Sequence, residues 1–126
     1  NINIFDPAQK RSVWTHESSS FYSPLISRGM LMVVDENSEI KSFALKTLLE
    51  SWKNVEYLNR SLSNAVSYKG NVIVGDYEGY VHVIDTLNGK TIGREKLSRN
   101  PIKSIISRSD SLYIIDEAFN LISVDI

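Results

Sequence analysis

One short pattern occurs three times in this chain at an almost constant step. Met30 to Asp35, Val72 to Asp76 and Leu112 to Asp116 each run an apolar stretch into an aspartate. Asp35 and Asp76 are 41 residues apart, and Asp76 and Asp116 are 40 apart. Neighbouring columns keep the step. Gly29, Gly70 and Asp110 open the turn before each stretch, and Pro24, Ala65 and Ile105 lie upstream of it. A unit of about 40 residues made of strand-length apolar runs is the signature of a β-propeller. Such a unit cannot bury its apolar faces alone and must stack against copies of itself.

Short runs bounded by turn residues fill the rest of the chain. Ile2 to Asp6 and Arg11 to Thr15 read as a strand pair joined by a Pro7 turn. Strands follow at Phe21 to Ser27, Met30 to Asp35, Glu39 to Leu45 and around Glu50 to Lys53. Pro24 marks an edge or bulged position in the first of these. The next unit repeats the order: Leu62 to Tyr68, Val72 to Asp76, Tyr80 to Asp85 and Thr91 to Leu97. The last runs are Ile102 to Ser107, Leu112 to Asp116 and Leu121 to Ile126. The expected class is all-β, in blades of four antiparallel strands. We expect a partial blade over 1–15, complete blades over 21–53 and 62–97, and a partial blade over 102–126. Propellers close into rings of four to eight blades. Residues 1–126 therefore read as the C-terminal part of one propeller domain, about three blades of a larger ring. An isolated piece of that kind is expected to self-associate or to be poorly stable, because its cut faces and free edges are apolar.

Composition excludes several classes of function. A net charge of −1 with 23% charged residues gives no electrostatic argument for nucleic acid or an anionic membrane, which would favour a basic patch. No apolar run approaches the roughly 18 residues of a membrane span. The absence of cysteine removes disulfides, thiolate metal sites and cysteine nucleophiles. The chain starts at Asn1 rather than Met and shows no leader, so upstream sequence is expected.

Little in the chain reads as catalytic. His16 and His82 fall in different units, and His82 alternates with Val81 and Val83 as a strand-face residue. Asp35, Asp76 and Asp116 recur with the blade, as turn-capping acids do, whereas a catalytic acid is normally unique. Glu36, Glu78 and Glu117 follow them as solvated turn residues. The serines at 18–20 lack a nucleophile elbow, and no Gly-rich phosphate loop is present. No catalytic, metal or cofactor residues are assigned. Structural roles are expected for Trp14 and Trp52, whose rings would cover the seams between blades. They are also expected for Asp85, Asn88 and Gly89, which build a hairpin turn with a positive φ at glycine. Gly93 stands where the repeat would place another aromatic, so its seam is expected to be the weaker one. Tyr57, Leu58, Asn59 and Arg60 form the most apolar-plus-basic loop between blades and are the candidates for a protein contact.

Tyr80 to Thr91, with Asp85, Asn88-Gly89-Lys90 and a following strand, resembles the repeat of quinoprotein-like propellers. Ile4 to Trp14 and the Trp52 segment are similar to the same repeat. The ordered run from Met32 to Lys96, above all Gly70 to His82, resembles the last blades of the BamB family. These are periplasmic lipoproteins of the outer-membrane β-barrel assembly machine. The lipidated N-terminal Cys of that family is not within this chain. The resemblance implies a non-enzymatic scaffold without cofactor, lipid-anchored at the periplasmic inner leaflet of the outer membrane of a Gram-negative bacterium. It implies docking on the POTRA domains of BamA, contact with other machine subunits, and help in delivering unfolded outer-membrane proteins. It implies an eight-bladed ring and no nucleic-acid partner. Two alternatives share the repeat logic. A quinone- and Ca²⁺-dependent dehydrogenase is disfavoured by the absence of adjacent cysteines and of a Ca²⁺ cage. A generic interaction propeller of the WD40 type lacks its Gly-His and Trp-Asp signatures.

Overall fold

A computed structural model describes the backbone of residues 2–6 and 11–16, and residues 24–124 in full. Among the described residues there are thirteen strands and no helix. β1 (Ile2–Asp6) and β2 (Arg11–His16) form an antiparallel pair. β3 (Leu25–Ser27), β4 (Met30–Val34), β5 (Ile40–Ala44) and β6 (Glu50–Asn54) form a four-stranded sheet in sequential order. β7 (Val66–Tyr68), β8 (Asn71–Gly75), β9 (Tyr80–Asp85) and β10 (Thr91–Lys96) form a second. β11 (Ile102–Arg108), β12 (Ser111–Asp116) and β13 (Leu121–Val124) form a three-stranded sheet. Every pairing is antiparallel.

Period-2 alternation decides which side chains meet. Met32 and Val34 on β4 point to one face, with Val72, Val74 and Ile84 of the next sheet packed against them in one buried cluster. Ile73 and Val81, on the opposite face of that second sheet, join Ile102, Ile105, Leu112 and Ile114 of the third. β4 and β8 are thus buried on both faces, which explains why their sequences are continuous apolar runs rather than alternating ones. The sheets β3–β6, β7–β10 and β11–β13 stack face to face, and each seam between them is a core of its own.

The strand expected over Leu62 to Tyr68 is shorter, and ladder pairing begins only at Val66. Ser63 supplies the reason. Its N–H donates to the Gly75 carbonyl, and its hydroxyl accepts from the Gly75 N–H at 2.9 Å. A side chain therefore takes the place of a backbone ladder partner. Phe21 to Ser23, the side chains of Trp14 and His16, and the serines at 18–20 lie outside the described residues.

Register irregularities repeat as well. The pairing of β5 with β6 shifts so that Trp52 lies opposite Ser42 while Glu50 lies opposite Phe43. The β9–β10 pair shifts at the matching place, between Thr91 and Gly93. A bulge of this kind re-aims the following side chain. In the first sheet that side chain is Trp52, turned onto the neighbouring sheet.

Candidate functional site

The turns between second and third strands, at Asp35, Asp76 and Asp116, are built alike. In each, one carboxylate oxygen accepts two backbone N–H groups of its own turn. Asp35 Oδ1 takes Asn37 and Glu39 at 2.9 and 3.0 Å, and Asp76 Oδ1 takes Glu78 and Tyr80 at 2.9 and 3.1 Å. Asp116 Oδ1 takes Ala118 and Asn120 at 3.0 and 2.9 Å. These are the local side-chain caps that make aspartate a turn residue.

The second oxygen differs from turn to turn. Asp76 is fully buried, and its Oδ2 accepts from His82 Nε2 at 2.7 Å. The Arg60 guanidinium approaches the same oxygen at 3.5 Å and Glu78 at 3.3 Å. His82 is itself buried, with the Tyr57 ring centred 4.4 Å from its own. The Tyr57 hydroxyl hydrogen-bonds the Thr91 hydroxyl, and burial pushes the phenol pKa up. His82 is therefore more than a strand-face residue. Asp116 Oδ2 instead accepts from the Ser98 hydroxyl at 2.6 Å and from the amides of Asn120 and Asn100 at 3.0 and 3.4 Å. The Ser98 hydroxyl first, then Asn120, hold this carboxyl well below the usual carboxylate range.

The structure places the sequence candidates as follows. The Trp52 indole N–H donates to the Thr86 carbonyl at 2.8 Å, and its ring lies against Gly89 of the adjacent sheet. Gly89 has φ +76, and a Cβ there would overlap the ring. Asp85 Oδ1 accepts the Leu87 N–H at 2.8 Å, and Asn88 Oδ1 the Lys90 N–H at 2.9 Å. Asn54 also reaches this turn, donating to the Gly89 carbonyl. Gly93 has open space where a Cβ would stand. In the connection between β6 and β7, Tyr57 is buried, Arg60 is half-buried, and Leu58 and Asn59 are exposed.

The connections between sheets are stitched to these turns. Asn59 N–H donates to Asn37 O, Tyr77 N–H to Arg60 O, Ile102 N–H to Asp76 O and Glu117 N–H to Pro101 O. Three turns and two connections thus form one bonded face. A cavity of about 390 Å³ opens among them. Among the described residues no group of three His, Asp or Glu is placed to hold a metal ion.

Stacked four-stranded antiparallel sheets with a capped aspartate turn repeating every 40–41 residues define the class: blades of a β-propeller with the quinoprotein-like repeat. The sequence profile of the family described as outer membrane protein assembly factor BamB matches residues 2–118, and the chain belongs to that family. It is 38% identical over 106 residues to the BamB of Shewanella oneidensis, covering 82% of this chain and 27% of that protein. Against the BamB of Escherichia coli it is 24% identical over 115 residues, covering 91% of this chain and 29% of that protein. The crystal structure of BamB from Moraxella catarrhalis superposes with a TM-score of 0.84 at 22% identity, over 94% of this chain and 36% of that one. The chain spans about a quarter of the length of the curated relatives it matches.

Proposed function

We propose that these sheets are C-terminal blades of one propeller domain, and that the protein carrying them is a non-enzymatic scaffold for outer-membrane protein assembly. In this reading it sits in the periplasm, lipid-anchored to the outer membrane. It docks on the POTRA domains of BamA and assists delivery of unfolded outer-membrane proteins. The observation that carries the reading is the match of the assembly-factor family along residues 2–118. The chemistry of the described residues agrees with it. The recurring acids, which an enzyme reading would recruit, are taken up in capping their own turns. Within this piece, the exposed Leu58 and Asn59 of the Tyr57–Arg60 loop are the residues offered to a partner, with Tyr57 and Arg60 holding the loop in place.

The test is capture of the full-length protein by purified POTRA domains of BamA, beside complementation of a strain lacking its own BamB. Binding and rescue of outer-membrane protein levels are the expected results. Failure of both, or alcohol oxidation on adding quinone and Ca²⁺, would overturn the scaffold reading.

A further inference from the structure

The cavity on the turn face has an uneven lining. Ile102 and Tyr77 contribute apolar surface, and Tyr77 is 48% exposed. Asp35, Glu36 and Glu117 contribute three carboxylates against one ammonium, Lys103. Among the described residues Glu36 and Glu117 stand in no ion pair. The single cation is turned aside, since Lys103 Nζ lies over the Phe119 ring, 4.4 Å from its centroid.

Phe119, joined to the cavity rim through Lys103, is anomalous. It occupies the column of Ser38 and Gly79, and all three have positive φ, at 64, 66 and 89°. Ser38 and Gly79 are buried and fit the turn, whereas Phe119 is 74% exposed. An aromatic residue in the left-handed region is strained, and such strain tends to mark functional positions. The one contact given for the exposed ring is the Lys103 ammonium over its face. Exposed aromatics beside a groove with free charges of one sign have the composition of a recognition surface.

We propose that this groove docks an extended polypeptide segment that presents an arginine side chain between apolar residues. The local charge of three carboxylates and one ammonium selects a cation. Arginine rather than lysine fits because its planar guanidinium pairs with a carboxylate such as Glu36 or Glu117 and also stacks on Tyr77. A volume of about 390 Å³ suits one large side chain with its neighbours, rather than a folded domain. The turn face is bonded together by its backbone before any ligand arrives, so little ordering accompanies docking. This docking requires no assembly role.

The test is fluorescence anisotropy of a short labelled peptide of alternating Val and Arg, titrated with the purified protein. The counterpart with Glu at the Arg positions is the control. The Arg peptide is expected to bind, more weakly as salt rises, and the Glu peptide not at all. Glu36→Lys with Glu117→Lys should weaken binding about tenfold or more, while Glu95→Lys on β10, away from the cavity, should not. Phe119→Gly relieves the backbone strain and removes the ring. It should bind more weakly while melting no lower than the parent, a combination that a purely structural Phe119 would not produce. The proposal fails if the Glu peptide binds equally, if the double charge reversal leaves affinity unchanged, or if the Arg peptide does not bind. Binding that survives in the reversed variant would place the peptide on a strand edge instead.

Discussion

Replacing Trp52 by Ala tests how the first two full sheets are held together. The ring is 8% exposed and belongs to the cluster of Met32, Val34, Tyr57 and Ile84. A buried Trp removes about 150–250 Å² from water. At about 25 cal/mol per Å² this is about 4–6 kcal/mol. Compactness of the unfolded chain reduces that sum by roughly 10–40%. Loss of the indole N–H leaves the Thr86 carbonyl without its 2.8 Å donor, although the space opened by Ala admits water to it. Together these give about 3–5 kcal/mol, the range seen for buried large aromatics. Trp52→Phe keeps most of the packing and should lose only about 1–2 kcal/mol. Urea unfolding of both variants separates the two contributions. Gly89→Ala adds a third arm. It forces a Cβ into the ring and a side chain into φ +76, so its penalty should fall by about 1 kcal/mol or more once Trp52 is already Ala. Strictly additive variants, or a Trp52→Ala protein with an unchanged urea midpoint, would refute the docking of this ring on the Gly89 turn.

Asp76→Asn keeps the acceptor for Glu78 and Tyr80 but turns an amide N–H₂ toward His82 Nε2 and Arg60. It should destabilise by about 3 kcal/mol, and a thermal melt within about 1 kcal/mol of the parent would count against a structural role for the pair. Ser98→Ala removes the donor that most depresses the Asp116 pKa. A carboxyl with a lowered folded pKa stabilises fully above its unfolded value of about 3.9, and that stabilisation is lost as pH falls through the folded value. The urea midpoints of parent and Ser98→Ala should therefore differ at pH 7 and converge below about pH 4; a constant gap would contradict the linkage. Gly93→Val places a β-branched residue where a Cβ meets nothing within 4 Å, and should raise stability by about 0.5–1 kcal/mol in urea. A lowered midpoint would mean that the open space at Gly93 serves something else.

The periodic residues are legible in the sequence itself. Asp35, Asp76 and Asp116 announce their turns because an aspartate followed by the same backbone geometry makes the same two hydrogen bonds each time. The Asp85 to Lys90 hairpin is legible for the same reason, since its turn bonds are local, whereas Trp52 is legible through its place in the repeat. The Asp76–His82–Tyr57 cluster is not. Alternation alone cannot tell a solvated strand-face histidine from one buried under a tyrosine that arrives from another connection. The available signal was departure from the repeat: the His82 column holds Lys41 and Ile122 in the other units, and the Tyr57 column holds Ser98. The shortened β7 was equally hidden, because no sequence rule says that Ser63 will bond Gly75 in place of a ladder partner.

The two oxygens of each turn aspartate divide the work in a way that joins fold to function. Oδ1 does one job in all three turns, so the turns keep one shape. In two of them Oδ2 reaches out of the turn to the preceding connection, to Arg60 at Asp76 and to Ser98 and Asn100 at Asp116, and at Asp76 it also takes His82 from the following strand β9. That second bond fastens a loop between sheets onto the turn, and backbone bonds such as Ile102 to Asp76 and Glu117 to Pro101 complete the attachment. A face secured at these points can hold Phe119 exposed at an unfavourable φ without relaxing, because the neighbouring turn atoms are already committed. The repeat columns therefore build the platform. The residues that break them, Phe119 in place of Ser38 or Gly79 and Lys103 drawn onto its ring, give the face its chemical character.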